Sequence, residues 1–466
     1  MYRTKAHIHF VGIGGIGMSG IATILRHQGY TISGCDINVE QISIEQLKKV
    51  GCIIYHGHNH SGCHDTSIDV VVFSSDISSE HPEITRAQAR GIPTIRRALM
   101  LAELMRTKFS IAVAGAHGKT TTTSLISHIL IQTHQDPTVI IGGHLHTISS
   151  NARWGDGDFL VAEADESDRT LEHLQATLAL ITNIDREHLN TYVDIEDIKK
   201  TFLRFLNNLP FYGKAIVCAD SEHVRSLLPL PHLKIITYGI DHPAHIYAQN
   251  IVLESDSSTM DVYVQGEVVA KDVMVPIPGI HNALNALGAL AMCSELGLSY
   301  DDMKHALASF KGVDRRFTYK GTWKGAELFD DYGHHPQEIH YTLLVARKRA
   351  KKRLIVVFQP QRYSRTHKLW DDFITVLSQH PVDQLIITDI YPAAETAIAG
   401  VNSQKLAAEI KLHSTQDTAT YIPYEKDFQS IITYLDSITE TDDLVLLLGA
   451  GKLNHIVPYL MQSISK

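Results

Sequence analysis

Cysteine is scarce in this chain and odd in number. Cys35, Cys52, Cys63, Cys218 and Cys293 are scattered over 466 residues, which makes no disulfide framework and predicts free thiols in a reducing compartment. No run of 18 apolar residues occurs, which excludes an ordinary membrane-spanning helix and a membrane partner. The opening Met1-Tyr2-Arg3-Thr4-Lys5 passes straight into a strand-like run, so we expect no secretion signal and a cytoplasmic protein. Positive charge is also short. Lys and Arg number 42 against 51 Asp and Glu, a formal charge of −9, which argues against a nucleic-acid partner. Internal repeats and low-complexity tracts are absent.

What remains is a globular chain, 44% hydrophobic and 20% charged, long enough for about three domains. Its most informative stretch is Ile111-Ala112-Val113-Ala114-Gly115-Ala116-His117-Gly118-Lys119-Thr120-Thr121-Thr122-Thr123. The apolar run reads as a buried parallel strand, and Leu125, Ile126, Ile129 and Leu130 mark the face of the helix beyond it. The glycine turn at a helix start points N–H groups inward and suits phosphate. Lys119 supplies a point charge for the terminal phosphates, and the Thr120 hydroxyl is placed for Mg²⁺. The spacing is shorter than the usual phosphate loop, because its first glycine would fall at Val113. A nucleoside-triphosphate site is the expectation.

Upstream, His7 to Val11 turns through Gly12-Ile13-Gly14-Gly15-Ile16-Gly17 into a helix, and a second strand ends at Asp36. This fingerprint suits any diphosphate, and UDP carries one as NAD does. Val70 to Phe73 is a further strand, followed by Ser74-Ser75-Asp76, residues suited to a strand-end binding loop. Between them lie Cys52, His56, His58, His60, Cys63 and His64. Their spacing matches no paired-ligand zinc pattern, and alternate histidines suit a loop or strand edge, so no zinc site is expected there.

Phe159 to Ala162 reads as a buried strand delivering Glu163-Ala164-Asp165-Glu166-Ser167-Asp168. Carboxylates at a strand end beside a phosphate loop suit a hard cation, with Glu163 first; an acidic helix N-terminus suits Asp165, Glu166 and Asp168 better. Leu178 to Ile184 reads as another strand, delivering Asp185, Glu187 and His188, the last a second candidate ligand. From Gly213 to Val275 short strands and turns carry no chemistry. Asn282 and Asn285 share a helix face, where amides could meet an adenine edge or cap the helix. The last third holds Asp314-Arg315-Arg316-Phe317, Asp330 to Pro336, and the strand Leu354 to Phe358. That strand delivers Gln359 to Thr366, in which Arg362 and Arg365 suit a carboxylate or phosphate clamp. The architecture is α/β: three successive units over residues 1–108, 109–313 and 314–466.

Together HFVGIGGIGMSG (His9 to Gly20), HGKTTTT (His117 to Thr123), EADESD (Glu163 to Asp168), HNALNA (His281 to Ala286), DDYGHHP (Asp330 to Pro336) and QPQRYSRT (Gln359 to Thr366) resemble the Mur ligase family over essentially the full chain, and most closely its alanine-adding branch. The resemblance implies a Rossmann-like N-terminal domain that binds the UDP of UDP-N-acetylmuramate through Gly12, Gly14, Gly15, Gly17, Asp36, Ser74 and Ser75. It implies a central ATPase-type domain that binds ATP through Gly115, Ala116, His117, Gly118, Lys119, Thr120 and Thr121. Asn282 and Asn285 would face adenine and Asp331 the ribose, with Mg²⁺ on Thr120, Glu163 and His188. A Rossmann-like C-terminal domain would present L-alanine on Arg362 and Arg365, with Arg316 and His335 at the reacting centre. The implied reaction is ATP-dependent amide formation through an acyl phosphate, in peptidoglycan precursor synthesis, by a monomer or weak homodimer. A murein tripeptide-recycling ligase of the same family is the neighbouring alternative. A nicotinamide-dependent oxidoreductase rests on Gly12, Gly14, Gly17 and Asp36 alone.

Three positions depart from the family pattern. Ala116 stands where threonine is usual and is expected to face outward. Glu187 precedes His188 in place of aspartate, and Gln361 stands where the alanine-adding branch often has histidine, which leaves glycine or serine open as substrates. Phe202 stands where other members carry a carbamoylated lysine, so none is expected.

Overall fold

The computed structural model describes residues 6–462 except 59, 75–76, 168, 189–190, 394 and 415–418, and omits the Thr170 side chain. Ser75 and Asp168 therefore lie outside the described residues. Three sheets follow one another along the chain. The first is wholly parallel, in the order Ile53–His56, Thr31–Asp36, His7–Val11, Ile68–Phe73, Thr94–Arg96. Strand His7–Val11 lies at the switch point. The crevice at its carboxyl end is opened by the glycine turn on one side and Ser74 on the other, the place where α/β sheets bind ligands.

The central sheet has ten strands, with Phe109–Ala114 flanked by Phe159–Glu163 and Leu178–Ile181 in parallel register. Ile111, Val113, Val161 and Leu180 are buried, as the continuous apolar runs require. The helix Lys119–Gln132 packs on this sheet and against the helix Ile280–Ser294. Of the stretch without chemical signal, Lys214–Cys218 and Lys234–Gly239 extend the parallel part of the sheet, and Ile246–Leu253, Ser258–Val264 and Glu267–Val275 form an antiparallel meander appended to that edge. Phe202, on the buried face of the helix Ile195–Asn207, lies in the core. The third sheet runs Thr318–Trp323, Ala326–Asp331, Leu444–Leu448, Leu354–Phe358, Gln384–Ile387, Ala419–Tyr421, with only the first strand antiparallel.

Two local differences from expectation have physical causes. The strand expected over Leu178 to Ile184 stops at Ile181, because Thr182 and Asn183 turn to hold the glycine turn at His117. The Thr182 hydroxyl donates to the His117 carbonyl at 2.6 Å, and the Asn183 side chain accepts from the His117 N–H at 2.8 Å. The histidine-rich segment also differs. His60 caps its own turn by accepting from Gly62 N–H at 3.1 Å, while Cys63 turns inward and meets His9, Cys35 and Glu83.

Candidate active site

The turn before helix Lys119–Gln132, where phosphate is expected, is shaped by two glycines. Gly118, at φ +81°, is in the left-handed region, and a Cβ there would lie 2.4 Å from Asn285 Oδ1. Gly115, at φ +142°, would place a Cβ 2.0 Å from Thr182 Oγ1. Both positions therefore reject side chains, which lets the loop close onto the neighbouring strand end. From the loop, Lys119 Nζ donates to the Gly115 carbonyl at 2.5 Å and the Ala116 carbonyl at 3.1 Å, and pairs with Glu166 Oε1 at 2.9 Å. Burial opposes its charge, but Glu166, Asp165 and Glu163 outweigh that and hold the ammonium above its ordinary range.

Beside Lys119 an oxygen-rich wall forms. Thr120 Oγ1 donates to Glu163 Oε1 at 2.9 Å, and Gly142 N–H donates to Glu163 Oε2 at 2.8 Å. Burial nevertheless pushes the Glu163 carboxyl above the usual range, only partly offset by Lys119. Asp165 behaves oppositely: against its burial, Arg97 and Lys119 draw it down to about 2. Arg97 reaches Asp165 from the first unit at 3.1 Å. His188, at φ +51°, sets Nε2 3.4 Å from Glu166 Oε1. Glu166 is 2% exposed, and its Oε2 is buried with no hydrogen-bond partner. Thr120, Glu163, Glu166 and His188 together offer a hydroxyl, carboxylates and an imidazole, a donor set that fits a hard divalent cation.

Two cavities flank this wall. One, of about 440 Å³, lies between the central and C-terminal units and is lined by Gly118, Thr121, Asn282, Asn285, Tyr238 and Asp331 among others. Asn285 Nδ2 donates to Asn282 Oδ1 at 3.3 Å, so the two amides do share a face. Asp331 borders the cavity with both oxygens engaged, accepting from Phe317 N–H at 2.7 Å and Gly333 N–H at 2.7 Å. The other cavity, of about 580 Å³, is bordered by all three units: Gly12, Gly15, Gly17 and Ser74 from the first, Ala116, Lys119, Thr120, Glu163 and His188 from the second, and Arg316, Arg362 and Arg365 from the third. Ala116 thus faces this cavity instead of bulk solvent. Gly14 and Asp36 are bonded to each other, N–H to Oδ2 at 2.8 Å, and brace the glycine turn from behind.

The C-terminal unit contributes buried, paired charge. Arg316 lies 3.7 Å from Glu338 and 5.5 Å over the Tyr332 ring. Arg365 pairs with Glu187 at 3.2 Å, both nearly buried, and donates to Gln361 Oε1 at 2.9 Å. Arg362 faces Glu395 at 3.7 Å. His117 bonds Asp185 at 3.1 Å, lies 3.6 Å from Glu338, and its ring centroid is 4.6 Å from that of His335. Burial pulls the His117 imidazole down, yet hydrogen bonds to Asp185 and Glu338 raise it to about 9. His335 is buried, held down by burial and by His117, and borders neither cavity.

Sequence reasoning did not single out Glu338 or Arg97. Glu338 had a legible signal: His335-Pro336 followed by glutamate at the third helical position is a capping box, and the helix Pro336–Arg349 is capped in that way. Arg97 had none, because its partner Asp165 lies 68 residues away.

Models described as "Mur ligase family, catalytic domain", "Mur ligase middle domain" and "Mur ligase, glutamate ligase domain" match residues 7–109, 113–293 and 315–451. The chain is 47% identical to a UDP-N-acetylmuramate–L-alanine ligase of Desulfotalea psychrophila, covering 97% of both chains. It is 45% identical to one of Geotalea daltonii over the same shares. The crystal structure of UDP-N-acetylmuramate-alanine ligase from Thermotoga maritima superposes with a TM-score of 0.81 at 25% identity, covering 98% of this chain and 99% of that one. A murein peptide ligase from Psychrobacter arcticus shares the fold, with a TM-score of 0.73 at 22% identity over 99% of both chains. With such identity sustained along nearly its whole length, the chain belongs to the Mur ligase family.

Proposed function

We propose that this protein joins L-alanine to the carboxylate of UDP-N-acetylmuramate at the expense of ATP. The observation that carries this is the larger cavity, where a glycine turn suited to a diphosphate, a phosphate-loop lysine and an arginine pair border one space. The named activity of the relatives supports the same substrates.

In this proposal the units are residues 1–108, 109–313 and 314–466, binding UDP-N-acetylmuramate, ATP and L-alanine in turn. Gly12, Gly15, Gly17 and Ser74 contact the UDP moiety, and Gly14 and Asp36 hold the turn's shape. Adenine and ribose occupy the smaller cavity against Asn282, Asn285 and Asp331. The phosphates lie along Gly115 to Thr121. Thr120, Glu163 and His188 would hold Mg²⁺, which when bound neutralises phosphate charge and polarises the P–O bond. Lys119 leaves its carbonyl and Glu166 partners to meet the γ-phosphate.

The chemistry must bring two anions together. The muramoyl carboxylate attacks the γ-phosphorus and ADP leaves, giving an acyl phosphate; the alanine amine then attacks the carbonyl and phosphate leaves. Lys119 and Arg316 stabilise charge in the first step. Arg362 and Arg365 orient the amino acid by its carboxylate. His335 acts as a positioning residue, through its contact with His117.

Phosphate release across a panel of amino acids, with UDP-N-acetylmuramate and Mg²⁺ present, tests this. Alanine should be the preferred acceptor, and Lys119→Ala should abolish ADP formation while UDP-N-acetylmuramate still binds. Release driven by a murein tripeptide and not by alanine would transfer the protein to the recycling activity, and full activity of Lys119→Ala would refute the site.

A further inference from the structure

A second constellation of ligating side chains lies inside the N-terminal unit. His9 of strand His7–Val11, Cys35 near the end of Thr31–Asp36, Cys63 of the turn Ser61–His64 and Glu83 at the start of helix Pro82–Ala89 each place one ligating atom within 4.8 Å of all the others. All four are buried, and His9 is 0% exposed. Apolar Val11, Ile68, Phe73 and Ile84 pack around the cysteines. From these observations we propose that His9, Cys35, Cys63 and Glu83 form a closed structural zinc site.

The geometry is near that of a four-coordinate centre. Zinc bonds of about 2.3 Å to sulfur and about 2.0–2.2 Å to nitrogen or oxygen put neighbouring ligand atoms about 3.3–3.8 Å apart in a tetrahedron. Cys35 Sγ lies 3.1 Å from Glu83 Oε2, and His9 Nε2 lies 3.5 Å from the same oxygen. Small side-chain adjustments suffice to admit the ion.

His9 is prepared for the role. Its Nδ1 is 2.8 Å from Ser33 Oγ, which is itself 2.7 Å from His7 Nε2. With Nδ1 donating to that hydroxyl, the lone pair is on Nε2, and Nε2 is buried without a hydrogen-bond partner while aimed into the cluster. An outer partner of this kind fixes the tautomer and orientation of a ligating imidazole. His58 Nδ1, 3.1 Å from Cys35 Sγ and 3.9 Å from Glu83 Oε1, gives the rim a second such partner. Two thiolates, an imidazole and a carboxylate suit zinc better than magnesium or calcium.

The site also has a mechanical consequence. The Cys35 carbonyl accepts from Gly12 N–H at 2.9 Å and Ile13 N–H at 3.1 Å. An ion on Cys35 therefore anchors the strand end from which the glycine turn hangs.

The test uses the full chain without a polyhistidine tag, expressed with added zinc and analysed by elemental mass spectrometry after gel filtration. About one zinc per chain is expected, falling about tenfold or more in Cys63→Ser and in His9→Ala and persisting in Cys52→Ser. Because a ligand variant could fail to fold, cobalt is also exchanged into the unmodified protein, where thiolate-to-cobalt charge transfer and intense tetrahedral bands are expected. Zinc that stays in the folded ligand variants, a wild-type chain lacking both zinc and the cobalt bands, or a Cys35–Cys63 disulfide found by mass overturns the proposal.

Discussion

Replacing Gly118 by alanine tests how the glycine turn is coupled to Asn285 across the smaller cavity, where we propose that adenine lies. Two costs follow from the structure. At φ +81° an L-residue in the left-handed region costs about 1–2 kcal/mol. The new Cβ also falls 2.4 Å from Asn285 Oδ1, so the amide must rotate and give up its bond to Asn282, a further loss of about 1 kcal/mol. The sum is about 2–3 kcal/mol, or about 4–12 °C in the melting temperature of a unit this size. Gly266 separates the two terms, because it has φ +96° and nothing within 4 Å of a built Cβ. Gly266→Ala should therefore show the backbone cost alone and an unchanged KM for ATP. Gly118→Ala should melt lower still and raise KM for ATP, and adding Asn285→Ala to it should cost less than the two changes taken separately. Thermal unfolding and ATP saturation curves on wild type and the four variants decide the matter. Equal melting losses at Gly118 and Gly266, with ATP saturation untouched at both, would refute the coupling.

Other perturbations have definite expected outcomes. Since the folded pKa of His117 is raised to about 9 from 6.5, its stabilisation is complete below about pH 6.5 and is lost as pH rises through about 9, on the order of 3 kcal/mol. Denaturant midpoints of wild type and His117→Gln should converge between those pH values, and parallel curves would count against the pairing with Asp185 and Glu338. On the acid side, burial keeps His281 and His334 neutral and lowers both to about 4, so their contribution is present above pH 6.5 and lost as pH falls toward 4. His334→Gln should consequently lose less stability than wild type between pH 7 and pH 5. Glu187→Gln leaves the Arg365 guanidinium buried without its counter-charge, which should cost about 3 kcal/mol in chemical denaturation; a stability equal to wild type would show that Gln361 alone satisfies the arginine.

The sequence by itself determined the three α/β units and the loops at their strand ends. Apolar runs such as Leu354 to Phe358 and Leu444 to Leu448 can be buried only as interior parallel strands, and Gly118-Lys119-Thr120 at a strand-to-helix turn has few uses other than phosphate. Residues within one motif were legible because their neighbours in space are neighbours in the chain. Contacts between motifs were decided by tertiary structure. Lys119 rests on Glu166, Arg365 on Glu187 and His117 between Asp185 and Glu338, partners separated by 47 to 221 residues. The histidine-rich segment makes the same point. Local spacing argued against zinc at Cys63 and its neighbours, since a paired-ligand pattern was missing; the site we propose draws instead on sheet register, which sets Cys35 beside Val11 and His9 beside Ser33 and brings side chains from four elements close together. A one-dimensional pattern records which groups share a strand or helix face. Which faces meet is fixed only when the sheets pack.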